Sequence, residues 1–247
     1  MRLTRVHAAV ALSEGGLVEL PPAAANHLAR VLRLGPGAPV RVFDGDGTEH
    51  AGRIEAVRAG SVLVRLGARL AGAAGASLNL TLVQGISRAE RMDFAVQKAT
   101  ELGATRIVPL KAEHAVVRLN AESAAKKRAH WLGVAIAASE QCGRTVIPEV
   151  AEPVTLPEWL ATERAGQAAG LRLVLDPSAA RGIGGFGAPA DISLLVGPEG
   201  GLSATEVRLA AGNGYLPVRL GPRVLRTETA ALAALAALQT LYGDLAG

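Results

Sequence analysis

Two short segments carry residues whose types and spacing suit chemistry on a small molecule. The first is Gly197-Pro198-Glu199-Gly200-Gly201. It follows an apolar run, 192–196, that reads as a buried strand. It precedes Ser203 and Glu206, whose spacing is that of a capping box at a helix start. Ligands of open α/β sheets bind at such strand ends, and glycines let the backbone N–H groups come close to them. A tight strand-to-helix turn accounts for the same residues, so this segment alone leaves both readings open. The second segment is Leu220-Gly221-Pro222-Arg223-Val224-Leu225-Arg226-Thr227-Glu228-Thr229-Ala230. It leaves a predicted strand, 216–220, and enters a predicted helix, 227–241. Thr227 suits the N-cap, and Glu228 then sits in the first turn, where the helix dipole favours an anion. Arg226 opposes that dipole, which points to a task beyond structure. Gly200 and Gly221 are expected to stay small because backbone meets ligand there.

A third cluster, Glu140-Gln141-Cys142-Gly143-Arg144, closes a long predicted helix, 121–142. Glu140 stands at the unfavourable end of the dipole. Either an i,i+4 ion pair with Arg144 relieves this, or both residues face a substrate. Cys142 has no general base near it in sequence and reads as a small packing residue. Gly182-Ile183-Gly184-Gly185-Phe186-Gly187 satisfies G-x-G-x-x-G, but it follows a loop and precedes a strand, the reverse of a dinucleotide fingerprint. It reads as a surface loop.

These segments need a scaffold. The chain has 247 residues, 49% hydrophobic but only 3% aromatic, so a core of Ala, Val and Leu is implied. Residues 1–70 show short apolar runs at 2–6, 40–44, 52–57 and 61–66, with Asp44-Gly45-Asp46-Gly47 as a turn. One helix, 23–32, interrupts them, with Leu28, Val31 and Leu32 on one face. A small-residue stretch, 71–77, reads as a linker. From 78 onward, runs at 78–84, 105–110, 172–175, 192–196 and 216–220 alternate with helices at 89–102, 121–142, 203–211 and 227–241. That alternation predicts an α/β domain, 78–247, with a mostly parallel sheet. The net charge is +4, too small to prove a polyanionic partner. Residues 1–70 hold nine arginines, no lysine and six acidic residues, a net +3. A lone cysteine and five scattered histidines offer no disulfide framework and no metal-ligand spacing. The apolar run 8–12 is too short for a signal peptide, and the longest, 230–238, is too short to span a membrane. A soluble, cytoplasmic protein with no metal is expected.

Several blocks, taken in order, resemble one family. They are His27-Leu28 with Val31-Leu32-Arg33-Leu34, Phe43-Asp44-Gly45, Arg91-Met92-Asp93, Gln97-Lys98, Thr100-Glu101-Leu102-Gly103 and Pro109-Leu110. Trp131, the 140–144 cluster and the two glycine segments complete the series. Together they are similar to the ribosomal RNA small-subunit methyltransferase E family of the SPOUT superfamily. Asn26-His27 stands where the family commonly pairs histidines, and His114 where it usually has an arginine before two valines. The resemblance implies a PUA-like RNA-binding β-barrel over 1–70 and a trefoil-knotted methyltransferase domain over 78–247. It implies S-adenosylmethionine as cofactor, a homodimer, and methylation of N3 of a uridine in 16S rRNA of the small ribosomal subunit. The alternatives are another RNA site or an inactive RNA-binding module. Leu175, Gly197, Pro198, Gly200, Gly201, Leu220, Gly221, Val224, Leu225 and Thr227 are then the expected cofactor residues. Arg226 and Arg144 are the expected charge stabilisers, Glu199 or Glu140 the proton acceptor, and Arg30, Arg33, Arg88 and Arg91 the RNA contacts.

Overall fold

The structure, a computed structural model, describes residues 3–58, 60–71, 78–117, 119–165 and 170–245. Apart from Ala71, the expected linker lies outside the described residues. The chain divides into two compact units, Met1–Gly75 with Ile136–Ile147, and Ala76–Ala135 with Pro148–Gly247. The first unit therefore takes a segment from beyond residue 70.

In that unit, β1 (Thr4–His7), β2 (Leu17–Glu19), β3 (Pro39–Phe43), β4 (Glu49–Arg58) and β5 (Ser61–Arg69) form one sheet in the order β1-β3-β4-β5-β2. β1 runs parallel to β3, and the other pairs are antiparallel. Alternation does the sorting. Val40, Val42, Ile54, Val62, Val64 and Leu66 point into one core with Val6, Val18 and Leu28. Asp44 makes the β3–β4 turn, its Oδ1 accepting from the N–H groups of Asp46 at 2.8 Å and Thr48 at 2.9 Å. The expected helix 23–32 is divided into α1 (Pro22–Asn26) and a π-helical turn, His27–Val31. The N–H of Leu32 reaches back to His27 O, a wider loop than the α pattern, and the residues after it rotate off the buried face. Leu28 is buried, while Val31 and Leu32 are 63% and 41% exposed, which corrects the single apolar face. The three-residue β2 is too short to show periodicity.

The second unit contains β6 (Asn79–Gly85), α2 (Ala89–Glu101), β7 (Arg106–Leu110), most of α3 (Ala121–Cys142), β8 (Glu149–Val150), α4 (Leu156–Ala165), β9 (Leu171–Leu175), β10 (Asp191–Val196), α5 (Ala204–Ala211), β11 (Leu216–Val218) and α6 (Thr227–Tyr242). Its sheet has the order β11-β9-β10-β6-β7-β8, and every paired register in it is parallel. The strands carry continuous apolar runs, such as Leu194, Leu195 and Val196, whose side chains are buried on alternate faces. Each such side chain contributes about 1.5–3 kcal/mol by leaving water. From β6 the chain first adds strands on one side and later on the other, so β6 marks a switch point, where open sheets form a ligand crevice. Sequence reading missed α4, although Leu156, Trp159 and Leu160 fall at helical spacing and are all buried. Trp159 Nε1 donates to the Tyr215 hydroxyl, which donates to Glu163, both at 2.7 Å. Burial, helped by the Glu163 charge, raises the phenol pKa far above its usual range and keeps it a donor.

Candidate functional site

Parallel strands bring their carboxyl ends to one edge, and a cavity of about 380 Å³ opens there. Leu175, Val196 and Val218 supply its floor from β9, β10 and β11. The strand β11 ends at Val218, not at Leu220 as expected, which frees Arg219 and Leu220 to join the wall. The two glycine segments form the rest. Every residue expected to hold the cofactor, Leu175 through Thr227, lines this one cavity, whose size suits a nucleoside-sized ligand.

The glycines serve this geometry in different ways. Gly201 and Gly221 have φ of +71° and +69° with open space around them, so conformation demands glycine there. Gly200 is small because of a protein neighbour: an added Cβ would stand 2.9 Å from His114 Cβ and 3.0 Å from its carbonyl oxygen. His114 Nδ1 also lies 3.2 Å from Gly200 O, so the residue replacing the family's usual arginine holds this loop. Gly85, at the end of β6, admits no Cβ at all because Pro198 N occupies that place. Sequence reading did not single out Gly85. A glycine ending a strand was the available signal.

Thr227 is not the N-cap. The helix begins with it, and Arg226 occupies the cap position with no side-chain capping bond. The Thr227 hydroxyl is engaged elsewhere, donating to Gly197 O at 2.5 Å and accepting from Gln84 Nε2 at 2.9 Å. It thereby ties the end of β6 to the loop after β10. Ser203, by contrast, is the N-cap of α5 and completes the capping box with Glu206.

Charges around the cavity are unevenly satisfied. Arg226 is exposed on its wall, and none of the ion pairs among the described residues includes it. Glu228 does not pair with Arg226 but with Arg91, whose Nε lies 3.9 Å from its Oε1. Arg91 Nη1 lies 3.4 Å from Glu199 Oε1, so one guanidinium faces two carboxylates. Glu199 Oε1 also accepts from the Arg88 N–H at 3.0 Å. Burial pushes the Glu199 carboxyl up. The N–H groups of Arg88 and Glu199 itself, the Arg91 charge and, least, the Ser87 hydroxyl outweigh this and hold it below the usual range. It is therefore an ionised acceptor at neutral pH.

Glu140 and Arg144 belong to the first unit and are not among the residues lining the cavity. Arg5 resolves the electrostatics of that helix end. Its guanidinium donates to the carbonyls of Ser139 at 2.7 Å and Arg144 at 3.0 Å, and pairs with Glu49 at 2.7 Å. Glu140 accepts from the His7 N–H at 2.9 Å. Burial raises its carboxyl pKa, only partly opposed by that bond and by His27, His7 and Arg5. Cys142 is half-buried, with Sγ 3.9 Å from Ser139 O. Arg30, Arg33 and Arg88 are exposed, whereas Arg91, grouped with them by sequence, lines the cavity. The Gly182–Gly187 segment lies in the loop between β9 and β10 and contributes nothing to the cavity. Among the described residues no group of three or more His, Cys, Asp or Glu could hold a metal, and no helix is long and apolar enough to cross a membrane.

A ligand cavity at the carboxyl edge of a parallel sheet, in a chain that also carries a small mixed-sheet unit, defines the class. The RNA methyltransferase domain family matches residues 75–239, and the RNA methyltransferase PUA domain matches residues 20–67. A ribosomal RNA small subunit methyltransferase E of Buchnera aphidicola is 30% identical over 99% of this chain and 98% of its own. The one from Bacillus subtilis is 30% identical over 89% and 90%. Among solved structures, a Legionella pneumophila methyltransferase in complex with SAM superposes with a TM-score of 0.93 at 41% identity, covering 99% of this chain and 100% of its own. A Neisseria gonorrhoeae ribosomal RNA small subunit methyltransferase E bound to S-adenosylmethionine gives 0.90 at 36%, with the same coverage. The chain belongs to the ribosomal RNA small subunit methyltransferase E family.

Proposed function

We propose that this protein methylates N3 of a uridine in the 16S rRNA of the small ribosomal subunit, with S-adenosylmethionine as the methyl donor. The observation that carries the reading is Arg226, an arginine with no ion pair among the described residues, beside a nucleoside-sized cavity and at a helix start that disfavours it. Leu175, residues 197–201 and residues 220–225 would hold the cofactor through backbone groups and apolar contacts. When bound, S-adenosylmethionine supplies a methyl group already activated on a sulfonium. What remains for the protein is to align the base and to favour its deprotonated form.

Uracil N3 lies between two carbonyls, and losing its proton spreads charge onto both oxygens. Arg226 would stabilise that charge as it develops. Glu199, ionised and on the cavity wall, is the better placed proton acceptor; Glu140, in the other unit, is the weaker candidate. Arg30 and Arg33 would contact RNA phosphates from the first unit. A homodimer, a trefoil knot through the cavity loops and a cytoplasmic location belong to the same proposal. Phe94 on α2 and Leu241 on α6, 43% and 51% exposed, offer apolar surface for the dimer. Mass spectrometry of 16S rRNA incubated with protein and cofactor tests the reading. N3-methyluridine in the small-subunit RNA is expected. A methyl found only on a ribose or only on tRNA overturns it.

A further inference from the structure

Arg219, Arg223 and Arg226 line the cavity, with Asp176 and Glu199 as the carboxylates among its lining residues. Arg91 must serve both Glu199 and Glu228, which leaves that cluster one negative charge in excess. Neither contact is a close bidentate pair, since the distances are 3.4 and 3.9 Å. The second oxygen of each carboxylate, Oε2 of Glu199 and Oε2 of Glu228, is buried with no hydrogen-bond partner among the described residues. A fold left to itself does not keep two desolvated anionic oxygens beside one shared cation, because each unsatisfied group costs about 1–3 kcal/mol. Glu199 and Arg91 line the cavity, while Glu228 stands behind Arg91 and does not.

We propose that Glu228 is a positioning residue that acts through Arg91: by sharing that guanidinium it keeps the cavity wall at Glu199 net negative. The protein thereby prefers the positively charged, methyl-bearing cofactor over its neutral thioether product. With Glu228 neutralised, Arg91 would cancel Glu199 alone and the excess negative charge would vanish. With Arg91 neutralised, the excess would double. S-adenosylmethionine and S-adenosylhomocysteine differ by one positive charge and one methyl group, so their affinity ratio reports this charge directly. The inference rests on the cofactor proposed above.

The test is calorimetric, without RNA, on the full-length protein. Dissociation constants for both molecules are measured with the wild type, Glu228→Gln, Glu228→Asp and Arg91→Gln, each checked for an unchanged melting curve. One unit charge roughly 10 Å away at an effective dielectric of about 20 is worth on the order of tenfold in affinity. Glu228→Gln should therefore move the ratio about tenfold against S-adenosylmethionine. Glu228→Asp, which keeps the charge, should leave the ratio near wild type. Arg91→Gln should move it the other way, an opposition of sign that a merely structural role cannot produce. If Glu228→Gln weakens both molecules equally, or if both neutralising variants move the ratio in the same direction, the inference is overturned while the cofactor reading stands. If the wild type binds neither molecule, the cofactor reading itself fails, and the inference fails with it.

Discussion

Arg5 and Arg226 both meet helix ends, and they do so in opposite ways. Arg5 lies buried at the C-terminal end of α3, where carbonyls point outward and a cation is welcome. Glu49 neutralises it, and backbone oxygens take its remaining donors. Arg226 stands at the N-terminal end of α6, where a cation is unwelcome, exposed on the wall of a cavity and with no ion pair among the described residues. A side chain that only supports the fold has its charge fully answered by the fold. On the role proposed for it, Arg226 keeps its charge unanswered, at an electrostatic cost, until substrate binds.

The contrast can be broken first at Arg5. Arg5→Ala strands Glu49 in the core, and Arg41, 4.0 Å away and half exposed, is poorly placed to replace the lost partner. Unfolding in urea should show a loss of about 3–5 kcal/mol. A loss below about 1 kcal/mol would mean that Arg5 is no better answered than Arg226. Arg226→Ala should give the complementary result, with stability within about 0.5 kcal/mol of wild type. Its single-turnover methylation rate at saturating RNA and cofactor should fall about 100- to 1,000-fold. Arg226→Lys should recover little, because a point charge cannot make two planar contacts. A decrease smaller than about tenfold would remove the role assigned to it.

Smaller changes sharpen the same boundary. Gly200→Val presses a side chain onto His114, and the loop must shift by the roughly 1–3 kcal/mol typical of overpacking. Cofactor affinity should fall while the fold survives, and unchanged affinity would detach this loop from the cofactor. On the first unit, Arg30→Gln and Arg33→Asn should each lower RNA affinity and flatten its salt dependence by about one ion. Asparagine is chosen at 33 because φ there is +54°. An unaltered salt slope would place RNA elsewhere. Glu140→Gln should have the smallest effect. Burial raises the Glu140 pKa, so its neutral form supports the fold at low pH, and that support is lost as pH rises through the raised value. Glutamine stays neutral, so the variant should gain on wild type above that pH and match it below. Parallel stability–pH curves would show that Glu140 titrates normally.

Much of this was legible along the chain, and the rest was hidden for physical reasons. Most strands of the parallel sheet announced themselves because burial forces continuous apolar runs, as in residues 192–196, whereas the two-residue β8 was too short to do so. The α5 capping box was legible because both its partners lie within one turn. The place of Arg226 at a helix start was legible because helix-start signals are local. By contrast, Thr227 has the type and place of an N-cap, and only the tertiary structure assigns its hydroxyl to Gly197 and Gln84, which lie 30 and 143 positions away in the chain. The same holds for Arg91. Its helix placed it beside Arg88 as a surface cation, but folding sets it between Glu199 and Glu228. The order of residues was enough for most of the periodic elements, though not for α4, and for the glycine-rich strand ends and the family. It sufficed because periodicity, turn chemistry and dipoles act within a few residues. Which charges are answered and which are left open is settled by folding in three dimensions, because an ion pair depends on through-space distance and burial, and neither is written in the spacing of residues along a chain.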